Sequence, residues 1–485
     1  MPKDRKLKFS LDIFRDKRVR YGGYAALVTL AAIVLVVVIN LLVQQIPGEL
    51  DLTKRKLFTL SDQTYDLIDK FDDDVDIFGI YQTGNENQMI VDVMRKYERA
   101  SRKVNFELID PDRNPLFIEK YDEEGKGIAP GSLIVESGES FKVIPSIELF
   151  DVSYSQQGQP RVMGFKLEQR VTNALLYVTQ GVTPKIYELQ GHGEFSLVQM
   201  GLNTAVEKEN FEIESLNLLR EPTVPEDADI LLVLSPDFDL SDGEADVLLD
   251  YLENDGSALL FFELSDAELP NFASVLATFG IELANGIVFE GDRDYLYSAE
   301  NPLLIVPDLV SHDITTPLSE NNLNVLMPFN MPIKSLETRK RNIEIEPLFQ
   351  TSENSWLRVD RQTRSALRQP GEEMGPFDLG VAIRKRKTLM DEPEGFRLVV
   401  AGNASFIGGV YPFGNLKANA DFFLNSLAWL NKRSESISIR SKSLFTMPLR
   451  ISGTMQRVYA GIFVILIPLG ILVAGLIVWL RRRHL

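Results

Sequence analysis

The sequence predicts an α/β protein in which two α/β modules lie between two transmembrane helices. Two long apolar stretches without charges, residues 24–43 and 459–480, stand near opposite ends of the 485-residue chain. Between them, short apolar runs typical of buried strands alternate with helix-like stretches. The region between the stretches is strongly acidic, which agrees with an exported, water-exposed part of a membrane protein.

Each apolar stretch is long enough to cross a bilayer. About 20 helical residues, with a rise of about 1.5 Å each, span the roughly 30 Å hydrocarbon core. A basic tail, residues 1–23, precedes the first stretch, and residues 481–485, with three arginines, follow the second. The positive-inside tendency places both tails in the cytoplasm, so we expect a two-pass protein of the cell membrane with its bulk outside the cytoplasm. The alternative for the first stretch is a signal peptide, but its length and the absence of a small-x-small cleavage motif favour an uncleaved anchor.

The composition excludes several classes of function. The formal net charge is −18, and because both tails are basic, the residues between them carry about −26. Such a surface repels phosphate backbones, so we expect no nucleic-acid partner. The chain has no cysteine, which rules out disulfides, thiol nucleophiles and thiolate metal sites.

Residues 51–181 form the first predicted module. Its predicted strands are residues 75–81, 104–109, 132–136 and 140–144, and its predicted helices are residues 88–100 and 116–121. This order of strands and helices resembles a thioredoxin-like domain. In that family a redox CxxC motif begins the first helix, and here the corresponding residues 82–87 read QTGNEN. The resemblance therefore implies a binding or spacer module without redox chemistry.

Residues 184–432 form the second predicted module, followed by a linker at 433–458. Its predicted strands are residues 185–190, 211–216, 230–234, 258–262 and 397–401, and its predicted helices are residues 197–209, 241–254 and 419–431. Ser241 with Glu244 three residues later is a capping-box signature. Alternating strands and helices predict a parallel sheet covered on both faces. Residues 292–378 break this rhythm with prolines and weak periodicity, which predicts an insertion or a surface excursion.

Motifs for known chemistries are scarce in the sequence. It contains no P-loop and no GxSxG nucleophile elbow, so we expect no ATP hydrolysis or serine hydrolysis by those routes. Asp110, Asp112 and Asn114 have the spacing of a calcium loop, but Pro115 stands where such a loop needs glycine, so a solvated turn is expected. We therefore predict neither a metal nor a cofactor.

The candidate site is the sequence Gly191-His192-Gly193-Glu194, between a predicted strand and the following helix. In open α/β sheets this position lies at the carboxyl edge, where ligands bind. The incomplete glycine pattern leaves nucleotide binding open, whereas a catalytic zinc site needs about three protein ligands and too few histidines are present. The structural interpretation is a tight glycine turn in which His192 bonds nearby backbone and Glu194 favours a helix N-terminus.

Four segments in the same order resemble the GldG family. Residues 50–70 (LDLTKRKLFTLSDQTYDLIDK) are similar to its "DLT…K…TLS..T..LL" entry segment, and residues 189–194 (LQGHGE) to its "GHGE" element. Residues 248–263 (LLDYLENDGSALLFFE) resemble its "YL..GG.LL...D" passage. Residues 400–431, with GNASFI and NADFFLNSLAWL, resemble its closing helix.

The resemblance implies an auxiliary, extracytoplasmic component of a bacterial ABC transporter, in a family first associated with gliding motility. Its partners would be a permease and a cytoplasmic ATPase, and its second module would have a glutamine-amidotransferase-like, flavodoxin-like fold shared with intraflagellar transport proteins. Amidotransferases use a cysteine nucleophile, which this chain lacks, so the resemblance implies a protein that is not an enzyme. The family's "GD" near the last strand is Gly402-Asn403 here, which makes Asn403 part of the candidate edge but without a carboxylate.

Two other functions stay open at this point. One is an extracytoplasmic hydrolase that uses His192 and Glu194, and the other is a cell-envelope scaffold without a transporter. For the transporter, the second stretch supplies small residues that permit close helix approach, together with one kink-forming proline. These candidate membrane-docking residues are Gly461, Pro468, Gly470 and Gly475. The plainer interpretation is that glycine and proline are simply common in membrane helices.

Overall fold

The computed structural model describes residues 24, 27–38, 59–122, 125–154, 160–181, 183–337, 342–360, 362–363, 365–385, 395–408, 417–431, 442–443, 459 and 461–483. The chain divides into two compact units, Met1–Leu57 and Phe58–Leu485. In the first unit, the structure describes a short apolar helix, α1 (Leu27–Val38). The other residues of the first predicted span, apart from Tyr24, lie outside the described residues.

The first module of the second unit is a four-stranded sheet with helices and a β-hairpin. Its elements are α2 (Asp62–Ile68), β1 (Val75–Ile80), α3 (Gln88–Ala100), β2 (Val104–Ile109), α4 (Pro115–Tyr121), β3 (Leu133–Ser137), β4 (Ser140–Ile144), β5 (Phe150–Tyr154), β6 (Pro160–Phe165) and α5 (Leu167–Gln180). The sheet order is β2-β1-β3-β4, in which β1 and β2 are parallel and β3 is antiparallel to both of its neighbours. The helix α3 forms because Asn87 caps its start and its apolar residues recur every three or four positions on the face that meets the sheet.

The second module contains most of the remaining strands and most of the core. Its elements are β7 (Lys185–Leu189), α6 (Leu197–Met200), α7 (Asn203–Glu207), β8 (Glu212–Leu216), β9 (Ala228–Leu234), α8 (Asp242–Glu253), β10 (Ser257–Phe261), α9 (Pro270–Thr278), β11 (Ile281–Leu283), β12 (Ile287–Phe289), β13 (Leu304–Ile305), β14 (Asp308–Leu309), α10 (Thr316–Glu320), β15 (Met327–Pro328), β16 (Ile333–Ser335), β17 (Ile343–Gln350), β18 (Trp356–Arg358), β19 (Glu373–Met374), β20 (Asp378–Lys385), β21 (Arg397–Ala401) and α11 (Lys417–Leu430). The strand β22 (Lys442–Ser443) follows this module in the chain.

The main sheet is mixed, which corrects the expectation of a parallel sheet. Its path is β11-β16-β20-β21-β10-β9-β7-β8, with β17 also paired to β20. The five strands from β21 to β8 are parallel to one another, as the alternating pattern predicted. The pairs of β20 with β21, β17 and β16, and of β11 with β16, are antiparallel.

Both faces of the main sheet are buried because side chains of each strand alternate between two cores. In β10, Leu259 belongs to the core that also contains Phe422 of α11, whereas Leu260 belongs to the core that contains Leu248 of α8. This two-residue alternation is the ordinary consequence of strand geometry. The continuous apolar runs noted in the sequence therefore supply both faces at once.

The segment predicted as an insertion or excursion is packed into this sheet and its core. Residues 292–378 include the strands β16 and β17 and the first residue of β20, as well as the core side chains Ile305, Ile314 and Phe349. These elements are short or irregular, and β17 has register shifts where it meets β20. The weak periodicity that marked this segment therefore reflects short antiparallel strands.

One predicted helix is divided in two. Residues 197–209 form the short helices α6 and α7, because Gly201 adopts a left-handed conformation at the end of α6. Ser196 makes a capping box with Gln199 at the start of α6. The capping box predicted for Ser241 and Glu244 at the start of α8 is confirmed.

The helix α5 and the strand β22 join the two modules. Gln169 and Asn173 of α5 each donate a hydrogen bond of 2.7 Å to the carboxylate of Glu209, which follows α7. Asn210 donates to the backbone carbonyl of Asn173, also at 2.7 Å. The strand β22, which follows the second module in sequence, pairs with β6 of the first module.

One helix among the described residues is long and apolar enough to cross a membrane. It extends over Gly461–Arg481, 21 residues, and qualifies by length and composition alone. Its first part, Gly461–Leu466, is π-helical, and the rest is the helix α12 (Ile467–Arg483). Pro468 lies at the start of α12, and its missing N–H explains a change in helical hydrogen bonding at this place. The described part of the other predicted span, α1, is shorter, so the structure does not support a two-pass arrangement.

Candidate functional site

The Gly191 to Glu194 segment forms a tight loop at the carboxyl edge of the main sheet, directly after β7. Gly191 and Gly193 have positive φ angles of 127° and 82°, which side chains disfavour. A Cβ atom on Gly193 would lie 2.8 Å from the Cβ of Asp237, and one on Gly191 would lie 3.0 Å from the side-chain nitrogen of Asn217. Both glycines are therefore required where neighbouring loops approach most closely.

His192 is buried between two carboxylates. Its Nδ1 lies 3.0 Å from Oε1 of Glu194, and its Nε2 lies 3.3 Å from both carboxylate oxygens of Glu244 in α8. Of these two oxygens, Oε2 makes the hydrogen bond, whereas the buried Oε1 lacks hydrogen-bond geometry. Glu194 also accepts a hydrogen bond of 2.8 Å from the backbone N–H of His192. We call this arrangement of Gly191, His192, Gly193, Glu194 and Glu244 the His192 clamp.

The electrostatics of the clamp favour a charged imidazole. The hydrogen bond to Glu194 raises the pKa of His192 above its ordinary value, and the Glu244 carboxylate acts in the same direction against the effect of burial. Burial acts to raise the pKa of Glu244, but hydrogen bonds from Ser241 and the nearby imidazole hold that pKa below its usual range. With both ring nitrogens facing carboxylates, His192 has no free nitrogen with which to act as a general base.

The clamp also fixes the loop that follows β9. The backbone carbonyl of His192 accepts hydrogen bonds from the N–H groups of Asp237 at 2.7 Å and Phe238 at 2.9 Å. One residue thus joins the loop after β7, the loop after β9 and the start of α8. The predicted role of Glu194 at a helix N-terminus differs from what the structure shows, because Ser196 and the Glu188 carboxylate bond the first N–H groups of α6 instead.

Asn403 lies at the same edge but belongs to another cluster. It follows β21, and its side-chain nitrogen donates to Glu263, which follows β10, over 3.3 Å. Ser405 donates to the same carboxylate through its N–H and its hydroxyl group. Burial raises the pKa of Glu263, against the opposing effect of these hydrogen bonds. The structure therefore brings His192 and Glu194 together, with Asn403 bonded elsewhere along the edge.

The His192 clamp and the cluster around Asn403 both include residues that no sequence motif marks as site residues. Glu244 was recognised as a helix cap, but a capping signature is local and carries no signal of a histidine 52 positions earlier. Glu263 follows the apolar strand β10. A carboxylate in that position is expected at the carboxyl edge of the sheet, so the sequence did contain a signal for Glu263.

Neither the clamp nor its surroundings provides a metal site among the residues that the structure describes. No group of three or more suitable side chains is arranged for a metal ion there. His312 is buried elsewhere, where its Nδ1 accepts the N–H of Ile314 and its ring meets the edge of Trp429. Burial lowers the pKa of His312 to about 4, so this imidazole is neutral near pH 7.

The predicted membrane-docking residues lie on the apolar C-terminal helix. A Cβ atom on Gly461, Gly470 or Gly475 would meet nothing within 4 Å in the described structure. Packing against the described part of the chain therefore does not explain these glycines, and docking to another membrane helix stays a prediction.

The protein is a mixed α/β protein in which the His192 imidazole at the carboxyl edge is hydrogen-bonded to two carboxylates. The model of the family described as an ABC-type uncharacterized transport system matches residues 183–425, and the chain belongs to this family. The family assignment indicates an auxiliary component of an ABC transport system. A domain of unknown function, DUF7088, matches residues 54–149. No curated protein matches the chain.

Three of the solved structures that are similar to the chain have low sequence identity to it. The mmIFT52 N-terminal domain is 15% identical, with a TM-score of 0.36, over 51% of this chain and 97% of its own. The exo-beta-1,4-mannosidase Op5Man5 from Opitutaceae bacterium strain TAV5 is 10% identical, with a TM-score of 0.25, over 74% of this chain and 50% of its own. A putative thua-like protein from Parabacteroides merdae ATCC 43184 is 8% identical, with a TM-score of 0.27, over 55% of this chain and 92% of its own. At these TM-scores the similarities carry no argument about function.

Proposed function

We propose that the protein is a membrane-anchored, GldG-type auxiliary subunit that binds partner subunits of an ABC transporter outside the cytoplasm. The observation that carries this proposal is the His192 clamp. The His192 imidazole of this loop bonds Glu194 of the same loop and Glu244 of α8, and the backbone carbonyl of His192 bonds the loop after β9, so three elements are held together. Such a loop supplies a rigid surface to a partner and no free base to a substrate.

The proposed arrangement has two anchors, residues 24–43 and 459–480, with both tails in the cytoplasm. The helix over Gly461–Arg481 supports the second anchor by its length and its apolar composition. The first module is proposed to be thioredoxin-like and the second amidotransferase-like. In support, the first has the sheet order β2-β1-β3-β4, and the second has a parallel half covered by helices on both faces.

The pairing of β22 with β6 supports a proposal about which module lies closer to the membrane. The chain enters the first module just after residue 58 and, before the C-terminal helix, returns to it at Lys442–Ser443. Because both connections to the anchors leave from the first module, we propose that this module faces the bilayer. The second module, with its carboxyl edge, is then held further out.

The decisive experiment is purification of the full-length protein from the cells that produce it, with mass spectrometry to identify any permease and ATPase subunits that co-purify. We expect both subunits to be recovered with the wild-type chain. Replacing Gly470 and Gly475 by leucine should reduce recovery several-fold if the C-terminal helix docks against the permease, because the larger side chains prevent close helix approach. A matched control in the same helix replaces Leu469 and Leu472 by isoleucine, which preserves bulk and apolar character.

Two outcomes would contradict this proposal. If neither transporter subunit is recovered with the wild-type chain, the protein is better explained as an envelope scaffold. If both subunits are recovered equally with the glycine variants and the control, docking through the C-terminal helix is wrong, and only the outer modules remain as the contact.

A further inference from the structure

We infer that the carboxyl edge of the second module is a docking surface for a basic segment of a partner polypeptide, with Phe238 as its central contact. This inference rests on the proposed function, since the partner is a subunit of the transporter. The edge surface consists of three apolar and four acidic side chains. Its members are Val198, Leu219, Phe238, Glu221, Asp237, Asp242 and Glu268.

The three apolar side chains of the edge surface are exposed beside three adjacent strands. Val198, Leu219 and Phe238 are 69%, 68% and 68% exposed, and they follow β7, β8 and β9 respectively. In the sheet, β7 lies between β9 and β8, so the segments that carry these side chains leave from neighbouring strands at the carboxyl edge. Leu197 and Leu218, which precede Val198 and Leu219 in the chain, are buried. At this edge the chain therefore places one apolar side chain in the core and exposes the next to solvent. Grouped exposed apolar side chains mark interaction sites, and aromatic residues commonly carry much of the binding energy.

Phe238 is held in place on both sides by fixed neighbours. Its own N–H bonds the carbonyl of His192, which the clamp ties to α8. The next residue, Asp239, accepts the N–H groups of Asn271 at 2.8 Å and Phe272 at 3.1 Å at the start of α9. A backbone that is already ordered loses little conformational entropy on binding. The clamp is thereby explained as the support of an exposed aromatic side chain.

The charge of the edge surface selects a basic partner. The loops at this edge, residues 190–196, 217–221, 235–241 and 262–269, contain one lysine or arginine, Arg220, and several carboxylates. Glu221, Asp237 and Glu268 are exposed to solvent. An anionic membrane surface is repelled by such an edge, and so is the same face of a second copy of this acidic chain. Positive residues on a partner polypeptide complement it.

Site-specific photo-cross-linking tests this inference in cells that produce the transporter. Phe238 is replaced by p-benzoylphenylalanine in the full-length protein, and cross-linked peptides are identified by mass spectrometry. The control carries the same probe in place of Leu116, which is 80% exposed in the first module. We expect at least about fivefold more cross-linking to a transporter subunit from position 238, at a peptide rich in lysine or arginine.

Charge reversal supplies the second arm of the test. Glu221→Lys with Glu268→Lys should lower the yield from position 238 by about fivefold, since attraction becomes repulsion. The matched control, Glu119→Lys with Glu139→Lys, makes the same change in net charge at exposed sites of the first module and should leave the yield unchanged. Fluorescence of the buried Trp429 confirms that each variant is folded.

The outcomes separate the docking surface from the proposed function. If the permease and ATPase co-purify but position 238 cross-links no better than position 116, the docking surface is wrong and the proposed function stands. The docking surface is equally overturned if the cross-linked species is lipid, a second copy of this chain or an acidic peptide, or if both charge reversals act alike. If the subunits do not co-purify with the wild-type chain, the inference and the proposed function both fall.

Discussion

Adding one methyl group at Gly193 should disrupt the His192 clamp. The φ angle of 82° alone should cost about 1–2 kcal/mol for any residue with a side chain. The new Cβ would also lie 2.8 Å from the Cβ of Asp237, so the loop after β9 must move, which adds about 1–3 kcal/mol as overpacking. We therefore expect Gly193→Ala to lower the free energy of unfolding by about 3 kcal/mol.

Gly201 offers a matched control in the same module. Its φ angle is 70°, but an added Cβ would meet nothing within 4 Å, so Gly201→Ala carries the backbone cost alone, about 1 kcal/mol. The measurement is urea unfolding of the full-length protein in detergent, followed by the fluorescence of the buried Trp429. Removing the opposing Cβ by Asp237→Gly should reduce the cost of Gly193→Ala to that of the control. Equal costs for the two alanine variants, or no rescue by Asp237→Gly, would refute the reasoning.

Three further predictions concern buried charges. The Nε atom of Arg358, whose side chain is only 2% exposed, lies 2.6 Å from Oε1 of Glu372. Arg358→Met leaves this carboxylate without its charged partner, so it should lower the free energy of unfolding by about 3–5 kcal/mol in the same assay. The control Arg384→Met, at a pair whose arginine is 42% exposed, should cost less than about 1 kcal/mol. The pKa of His312 is about 4 in the folded protein, below its ordinary value of 6.5, so the unfolded chain takes up the proton first as the pH falls. The free energy of unfolding should therefore decrease by up to about 3 kcal/mol as the pH drops from 6.5 towards 4. His312→Gln should abolish this dependence on pH. For His192, whose folded pKa is raised, the contribution to stability is fully present below pH 6.5 and is lost as pH rises through the folded pKa; the unfolding free energy of His192→Gln, measured against pH, should lack this loss.

The strands in the parallel half of the main sheet could be predicted from the sequence, whereas those in its antiparallel half could not. Continuous apolar runs such as Ile230 to Leu234 indicate a strand buried on both faces, whatever its neighbours are. The strands β16 and β17 come from a segment that contains prolines, and the pairing of β17 with β20 has register shifts. Their pairing depends on tertiary packing, which has no periodic pattern in the sequence. The break of the helix at Gly201 was readable in principle, since glycine is the usual residue in a left-handed helix end.

The glycines of the Gly191 to Glu194 loop predict a tight turn, but the contacts of this loop are made with residues that are distant in sequence. The glycine spacing indicated a tight turn, and the structure supplies the reason in the close approach of Asn217 and Asp237. Neither the second carboxylate at Glu244 nor the exposure of Phe238 has a local signature. A pairing across 52 positions arises only when the loop after β7 and the start of α8 are brought to the same edge.

The short strand β22 has a consequence for the synthesis of the protein. Its partner β6 lies at the centre of a three-stranded sheet, ordered β22-β6-β5, and β22 follows the whole second module in the chain. While the ribosome is still making that module, β6 has one edge without its partner, and such edges invite pairing with other chains. The sheet is completed only when nearly the entire chain has emerged. Chaperone protection of the nascent β5–β6 hairpin should therefore matter most during synthesis of the second module.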